Sequence, residues 1–153
     1  MKLLTTQHRR LAQIASLFVG LWGAGAISCN IPVLESPECR AAKNSIREFY
    51  SIHFGSDMHP SAEGLELRKN YLTPELATAI AGSTNDQSDY FTQTTGDYPR
   101  AFRVGSCKSE DNNKAEVEVL IFWKDDVRSE QRSINVEAIR IDDRWLINKV
   151  SKN

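Results

Sequence analysis

Asp86, Asp89 and Tyr90 are the residue types a proton-abstracting site needs, a carboxylate base and a phenolic donor. Such a site works only when the carboxylate sits in an apolar pocket. The stretch that holds them, STNDQSDYFTQTTGDYPR at 83–100, is polar, and no local pattern turns either carboxylate inward. Asp86 and Asp89 are therefore weak catalytic candidates. His53, Asp57 and His59 offer metal-ligand types, but the five residues between the two histidines span a helix end and a turn, which is no metal-binding spacing. His53 instead continues an apolar helical stripe and reads as a core residue. Cys39 and Cys107 lack a CxxC context, Ser88 and Ser106 lack a GxSxG elbow, and no Gly-rich phosphate loop occurs. No metal and no cofactor is expected.

Aromatic side chains give a second kind of site. Tyr50, Tyr90, Phe91 and Trp123, with Trp145, offer apolar surface with polar tips, while Gln93 and Arg103 offer groups to orient an acid or an amide. The other reading makes these aromatics the core and turns Arg103 to solvent or a helix carboxylate.

The elements that must position these residues are legible. Ser36-Pro37-Glu38 starts a helix, with a capping hydroxyl, a proline suited to the first turn and an acid at the positive dipole end. Ala42, Ile46, Phe49, Tyr50 and His53 recur on one face of it, and Gly55 ends it. Ser61 opens a shorter helix with Leu65 and Leu72 on one side. Thr73-Pro74-Glu75 repeats the capped start, and Gly82 closes the third helix, its permissive backbone useful there. The 83–100 stretch shows neither period and reads either as a functional loop or as a crossover pinned by its aromatics.

After residue 100 the period becomes two. Phe102 and Val104 alternate, then Ala115, Val117, Val119, Ile121 and Trp123 share a face. Leu120 and Phe122 on the opposite side imply that this end is covered twice. Ile134, Val136 and Ala138 alternate before the phase slips to Ile139 and Ile141, which predicts a bulge near Ala138–Ile139. Asp142-Asp143 turns the chain into Trp145, Leu146 and Ile147. The expectation is α+β: helices first, then about four antiparallel strands, with the helices on the concave face.

Residues 1–28 read as a signal peptide. Lys2, Arg9 and Arg10 precede an apolar run from Leu11 to Ile27 that ends in small residues. Ala24-Gly25-Ala26 suits ordinary cleavage, and Ala26-Ile27-Ser28-Cys29 resembles a lipobox in which Cys29 is acylated. Parity favours the lipobox: it uses Cys29 and leaves Cys39 and Cys107 as a pair, whereas ordinary cleavage leaves three cysteines. A Cys39–Cys107 disulfide closes a loop of about 69 residues, worth roughly 4 kcal/mol; two buried thiols are the alternative. Residues 29–35 form a tether and 36–153 a single domain. The expected location is the periplasmic side of a bacterial envelope, with the membrane reached only through the lipid.

The 153 residues are 41% hydrophobic and 25% charged, ordinary for a globular chain, with net charge −1. Removing three bases and no acids with 1–28 leaves 16 basic and 20 acidic residues, net −4. That balance gives no electrostatic reason to bind nucleic acid.

AAKNSIREFY at 41–50, YLTPEL at 71–76, SDYFTQ at 88–93, VEVLIFWKDD at 117–126 and RWLINKV at 144–150 carry a likeness. They resemble the nuclear transport factor 2-like superfamily, and more closely a bacterial family of unknown function on exported proteins and lipoproteins. The resemblance spans residues 37–150. It implies a cone-shaped α+β domain with a pocket, and a superfamily that includes isomerases, dehydratases, binding domains and interaction modules. The first expectation is a binding domain for a small molecule, peptide or partner protein. The rivals are a pocket enzyme of isomerase or dehydratase type and an envelope protein acting as a homodimer.

Overall fold

Three side-chain oxygens start the three helices. In the computed structural model, which describes residues 35–82 and 88–153, Ser36 caps α1 (Pro37–Gly55), Ser61 caps α2 (Ala62–Arg68) and Thr73 caps α3 (Pro74–Ala81). Each oxygen accepts a backbone N–H three residues on, from Cys39, Gly64 and Leu76, and so satisfies a donor the helix itself leaves free. Residues 1–28, expected to be a signal peptide, most of the expected tether, Cys29 and Asp86 lie outside the described residues.

α2 is shorter than the apolar spacing suggests. It ends at Arg68, a 3₁₀ turn covers Lys69–Tyr71, and Leu72 leaves the helical path to bridge Ile147 in parallel. The tertiary contact overrides the local period there. Gly82 keeps ordinary right-handed geometry at φ −72, so its backbone freedom is not used.

A small hairpin follows, β1 (Ser88–Asp89) with β2 (Thr94–Thr95). Within the 83–100 stretch, residues 88–95 thus form a hairpin. Then come β3 (Ala101–Ser109), β4 (Lys114–Lys124), β5 (Ser129–Ile141) and β6 (Arg144–Lys152), antiparallel in sequence order. Asp142 and Asp143 form the two-residue β5–β6 turn with φ 47 and 62, the left-handed geometry such hairpins require.

The helices cover the inner face of this sheet. Ile46, Phe49 and Tyr50 from α1 pack in one core with Val117, Val119, Ile121, Ile134, Val136 and Ile147. Each such side chain contributes about 1.5–3 kcal/mol by leaving water. Cys39 and Cys107 are joined by a disulfide, Cα to Cα 5.8 Å, which ties the start of α1 to β3.

Two bulges set the registers. On β3 the pairing shifts between Val104 and Cys107, where Gly105 admits the Glu118 backbone; a Cβ there would meet the Glu118 oxygens at 2.9 and 3.2 Å. That extra residue turns Cys107 onto the inner face beside Val104, opposite Val117, where Cys39 can reach it. The second bulge falls beside Ala138, near where the sequence pattern predicts it, but its extra residue is on β6 rather than β5. Glu137 pairs with Lys149 but Ala138 with Ile147, so Asn148 is the extra residue, while β5 runs against β4 unbroken. Ile139 lies on the outer face opposite Leu146, so its apolar character marks a second packed face rather than a slip.

Asn148 uses its freedom to join three elements. Its amide donates to Glu137 Oε1 at 2.6 Å, and its carbonyl oxygen accepts from Thr73 Oγ1 at 3.3 Å. Lys114 Nζ sits 2.9 Å from Glu137 Oε2. The Asn148 amide, then the Lys114 ammonium, hold the Glu137 carboxyl below its ordinary value of about 4.5. A depressed carboxylate contributes stability above the unfolded value and loses it as pH falls through the folded one. Glu137→Gln should therefore cost about 0.5–1 kcal/mol near neutral pH, the charge being partly screened. That deficit should vanish in acid. Urea titrations between pH 7 and pH 2 would show it; a deficit constant over that range contradicts the assignment.

Candidate functional site

The four residues of the β1–β2 turn, Tyr90 to Gln93, are folded around one carboxylate. Asp89 Oδ1 accepts the Phe91 N–H at 3.1 Å, and Oδ2 accepts the Thr92 N–H at 3.2 Å and the Thr92 hydroxyl. The Thr92 proton is then spent, so the Thr94 hydroxyl donates to Thr92 Oγ1 at 2.7 Å. A fourth donor arrives from α1: His53 Nε2 lies 2.9 Å from Asp89 Oδ2. His53 is fully buried and Asp89 is 3% exposed. The polar context of Asp89 suggests the surface; the structure puts it inside instead, because His53 and the turn supply the hydrogen bonds that water would otherwise make.

Four donors occupy the acceptor sites of this carboxylate. The arrangement clasps the hairpin to α1. Tyr50 adds to the clasp by donating its hydroxyl to the Phe91 carbonyl at 2.7 Å. Burial first, and the Asp89 charge second, push the Tyr50 phenol well above its ordinary value, so it acts as a fixed donor. Val150 N–H donates to the Tyr90 hydroxyl at 3.2 Å, and Gln93 Nε2 donates to the Tyr90 carbonyl at 2.6 Å. The clasp therefore fixes the hairpin against both α1 and β6.

A cavity of about 490 Å³ lies between this hairpin, α2, α3 and β6. Leu65, Leu76, Ile80, Phe91 and Val150 form apolar wall, and Arg68, Gln93 and Lys149 add polar groups. Size and lining match those of small-molecule sites. Tyr90, Phe91, Gln93 and Asp89 belong to this wall. Tyr50 lies in the core behind it. Trp123 and Trp145 are buried elsewhere: the Trp123 indole donates to the Asp97 carbonyl at 3.2 Å under the guanidinium groups of Arg128 and Arg132, and the Trp145 carbonyl accepts from Ser45. Arg103 is exposed on β3, on the sheet face away from the helices. His59 pairs with Asp57 at 2.6 Å in the open, away from His53. Among the described residues no group of three or more His, Cys, Asp or Glu side chains could hold a metal ion.

Arg68 is the wall residue that sequence reasoning passes over. It is 3% exposed, yet it lies one turn beyond Leu65 and four residues before Leu72, on the apolar side of α2. A cation in an apolar stripe was the available signal. Gly64 makes room for it: a Cβ at that position would meet Arg68 Nη1 at 2.8 Å. Burial lowers the Arg68 guanidinium from its ordinary value, and the Asp89 and Asp57 charges act in the opposite sense.

No protein-family model matches the chain, and no curated protein sequence matches it. Solved structures do. One chain of the type VI effector–immunity complex Tae3–Tai3 from Ralstonia pickettii is similar at 21% identity and TM-score 0.52, over 77% of this chain and 95% of that one. The NTF2-like potential transfer protein TraM from the Gram-positive conjugative plasmid pIP501 is similar at 15% identity and TM-score 0.50, over 74% and 95%. An NTF2-like protein of unknown function from Shewanella oneidensis MR-1 shares 13% identity at TM-score 0.40, over 70% and 94%. Identities this low speak for the fold alone. Together with three helices laid on a four-stranded antiparallel meander, the first two make this an α+β chain of the nuclear transport factor 2-like fold.

Proposed function

We propose that the chain is an exported, lipid-anchored binding domain that takes a small molecule or short peptide into the cavity beside the β1–β2 hairpin. The cavity carries the reading: about 490 Å³, mostly apolar, with walls from four separate elements. The Asp89 clasp supports it, because a hairpin fixed by buried bonds keeps one wall in place before a ligand arrives. The disulfide supports export, since such bonds persist in oxidising compartments. It also leaves Cys29 as the odd cysteine, which is the residue the lipobox would acylate.

A pocket enzyme draws less support. Asp89 reaches the cavity wall, but its oxygens are committed to His53, Phe91 and Thr92. Partner binding is the competing use of the fold; one similar chain comes from an effector–immunity complex.

The neutral dye N-phenyl-1-naphthylamine tests the cavity in the purified full chain. Saturable 1:1 binding is expected, weakened about tenfold by Ile80→Trp, which fills the space; absence of saturable binding rejects the reading. Incorporation of radioactive fatty acid tests the anchor. Label should disappear in Cys29→Ala, and label that persists rejects acylation at that residue.

A further inference from the structure

Arg68 is a buried cation that makes no salt bridge among the described residues, its charge met only at a distance by Asp89 and Asp57. Its two hydrogen bonds both leave from Nη2, one to Ser56 Oγ at 3.0 Å and one to the Asp57 carbonyl. Both acceptors are neutral. Its Nε–H is buried without a partner, and among the described residues Arg68 takes part in no salt bridge. Asp57, whose carbonyl it binds, turns its own carboxylate outward to His59. Asp89, the carboxylate in the same wall, is held by four other donors, three at Oδ2 and one at Oδ1, and makes no salt bridge to Arg68. A guanidinium does not shed its proton to escape this, so the charge stays.

A buried charge without a direct ion-pair partner is costly, and an unspent N–H adds to the cost. Such a group persists where something completes it. Here the planar fork lies along the backbone of α2 over Gly64, at the edge of a mostly apolar space. Lys149 contributes a second cation to the wall. The remaining wall, with Leu65, Leu76, Ile80, Phe91 and Val150, would hold hydrocarbon.

The geometry points to an apolar acid as the ligand class: a hydrocarbon body in the cavity and a single carboxylate on the Nη1 edge of Arg68, which carries no hydrogen bond to the described residues. This rests on the cavity reading above and deepens it. A guanidinium recognises a carboxylate through paired N–H donors, and low local dielectric strengthens the bond. The same edge cannot favour a neutral amide of equal length to the same extent.

Competition against bound N-phenyl-1-naphthylamine tests this in the full chain, with decanoate and its neutral isostere decanamide as the probes. Decanoate should displace the dye at a concentration at least tenfold below that of decanamide. Arg68→Met should bring the two within about twofold of each other, each displacement being read against that variant's own dye affinity. Should Arg68→Met fail to fold, Gly64→Ala serves, since its methyl group would push the fork aside; far-UV circular dichroism and the thermal transition verify folding. Equal displacement by the two probes in the unsubstituted protein overturns the acid assignment and leaves the cavity reading standing. Failure of the dye to bind removes the cavity reading itself. A preference for decanoate that survives both substitutions also overturns the assignment to Arg68.

Discussion

Asp89→Ala is expected to destabilise the protein by about 3–5 kcal/mol, since each buried donor left without an acceptor costs about 1–3 kcal/mol and the losses are not fully additive. The size follows from what is left behind. His53 Nε2, the Phe91 and Thr92 N–H groups and the Thr92 hydroxyl would all lose their acceptor together. None can recover a bond to water without opening the hairpin, because His53 and Thr92 are buried. Asp89→Asn should be milder but still costly. Its one carbonyl oxygen can accept from part of the set, while its amide points donors at donors. Urea unfolding reads both effects. His53→Ala with Asp89→Ala in a double-mutant cycle then isolates their coupling, expected to be well below the sum of the single losses. An Asp89→Ala protein within 1 kcal/mol of the original would contradict the clasp. Local consequences follow too. The Tyr90–Gln93 turn should lose hydrogen-exchange protection before the sheet does, since its order depends on one side chain and that of the sheet on a ladder.

Loss of the Cys39–Cys107 bridge should cost roughly 4 kcal/mol in the chain-entropy account. The two residues are 68 apart in sequence, so the bond removes a large loop's freedom from the unfolded chain. In the folded chain it fastens the first turn of α1 to β3, on the inner side of the sheet. Alanine at both positions, compared with the oxidised protein in urea, gives the figure. A change below about 1 kcal/mol would mean that the unfolded chain is already compact across this span. Alkylation with and without reductant checks the bond itself, and the counts should differ by two thiols. Because stability of a domain is typically only 5–15 kcal/mol, a reducing compartment would leave a much larger unfolded fraction. The bridge thus makes the chain's stability depend on the place to which the proposed signal directs it.

Much of the frame is readable from neighbours in sequence. Ser36, Ser61 and Thr73 each announce a helix because a cap acts over three residues. The inward run of Ala115, Val117, Val119, Ile121 and Trp123 announces a half-buried strand because strand side chains alternate. Where two signals compete the reading fails. Leu72 continues the α2 period but bridges Ile147, a strand contact from the far end of the chain. The apolar phase at Ile139 looks like a slip because a strand packed on both faces has no single period, and the extra residue proved to be Asn148 on the next strand.

The site was less legible, and for one reason. Asp89 and Arg68 are charged, and charge in sequence reads as surface. Asp89 is buried only because α1 brings His53 to it from 36 residues away. Arg68 is buried only because Gly64 leaves the space and Ser56 and the Asp57 carbonyl hold the fork. What the amino-acid order determined by itself was the element list and the availability of two cysteines, through interactions spanning a few residues or simple parity. Tertiary structure decided which face those cysteines share, through the β3 bulge at Gly105, and which charges leave water. Desolvating a charge is favourable only when its partners already stand in place, and those partners come from distant segments of the chain.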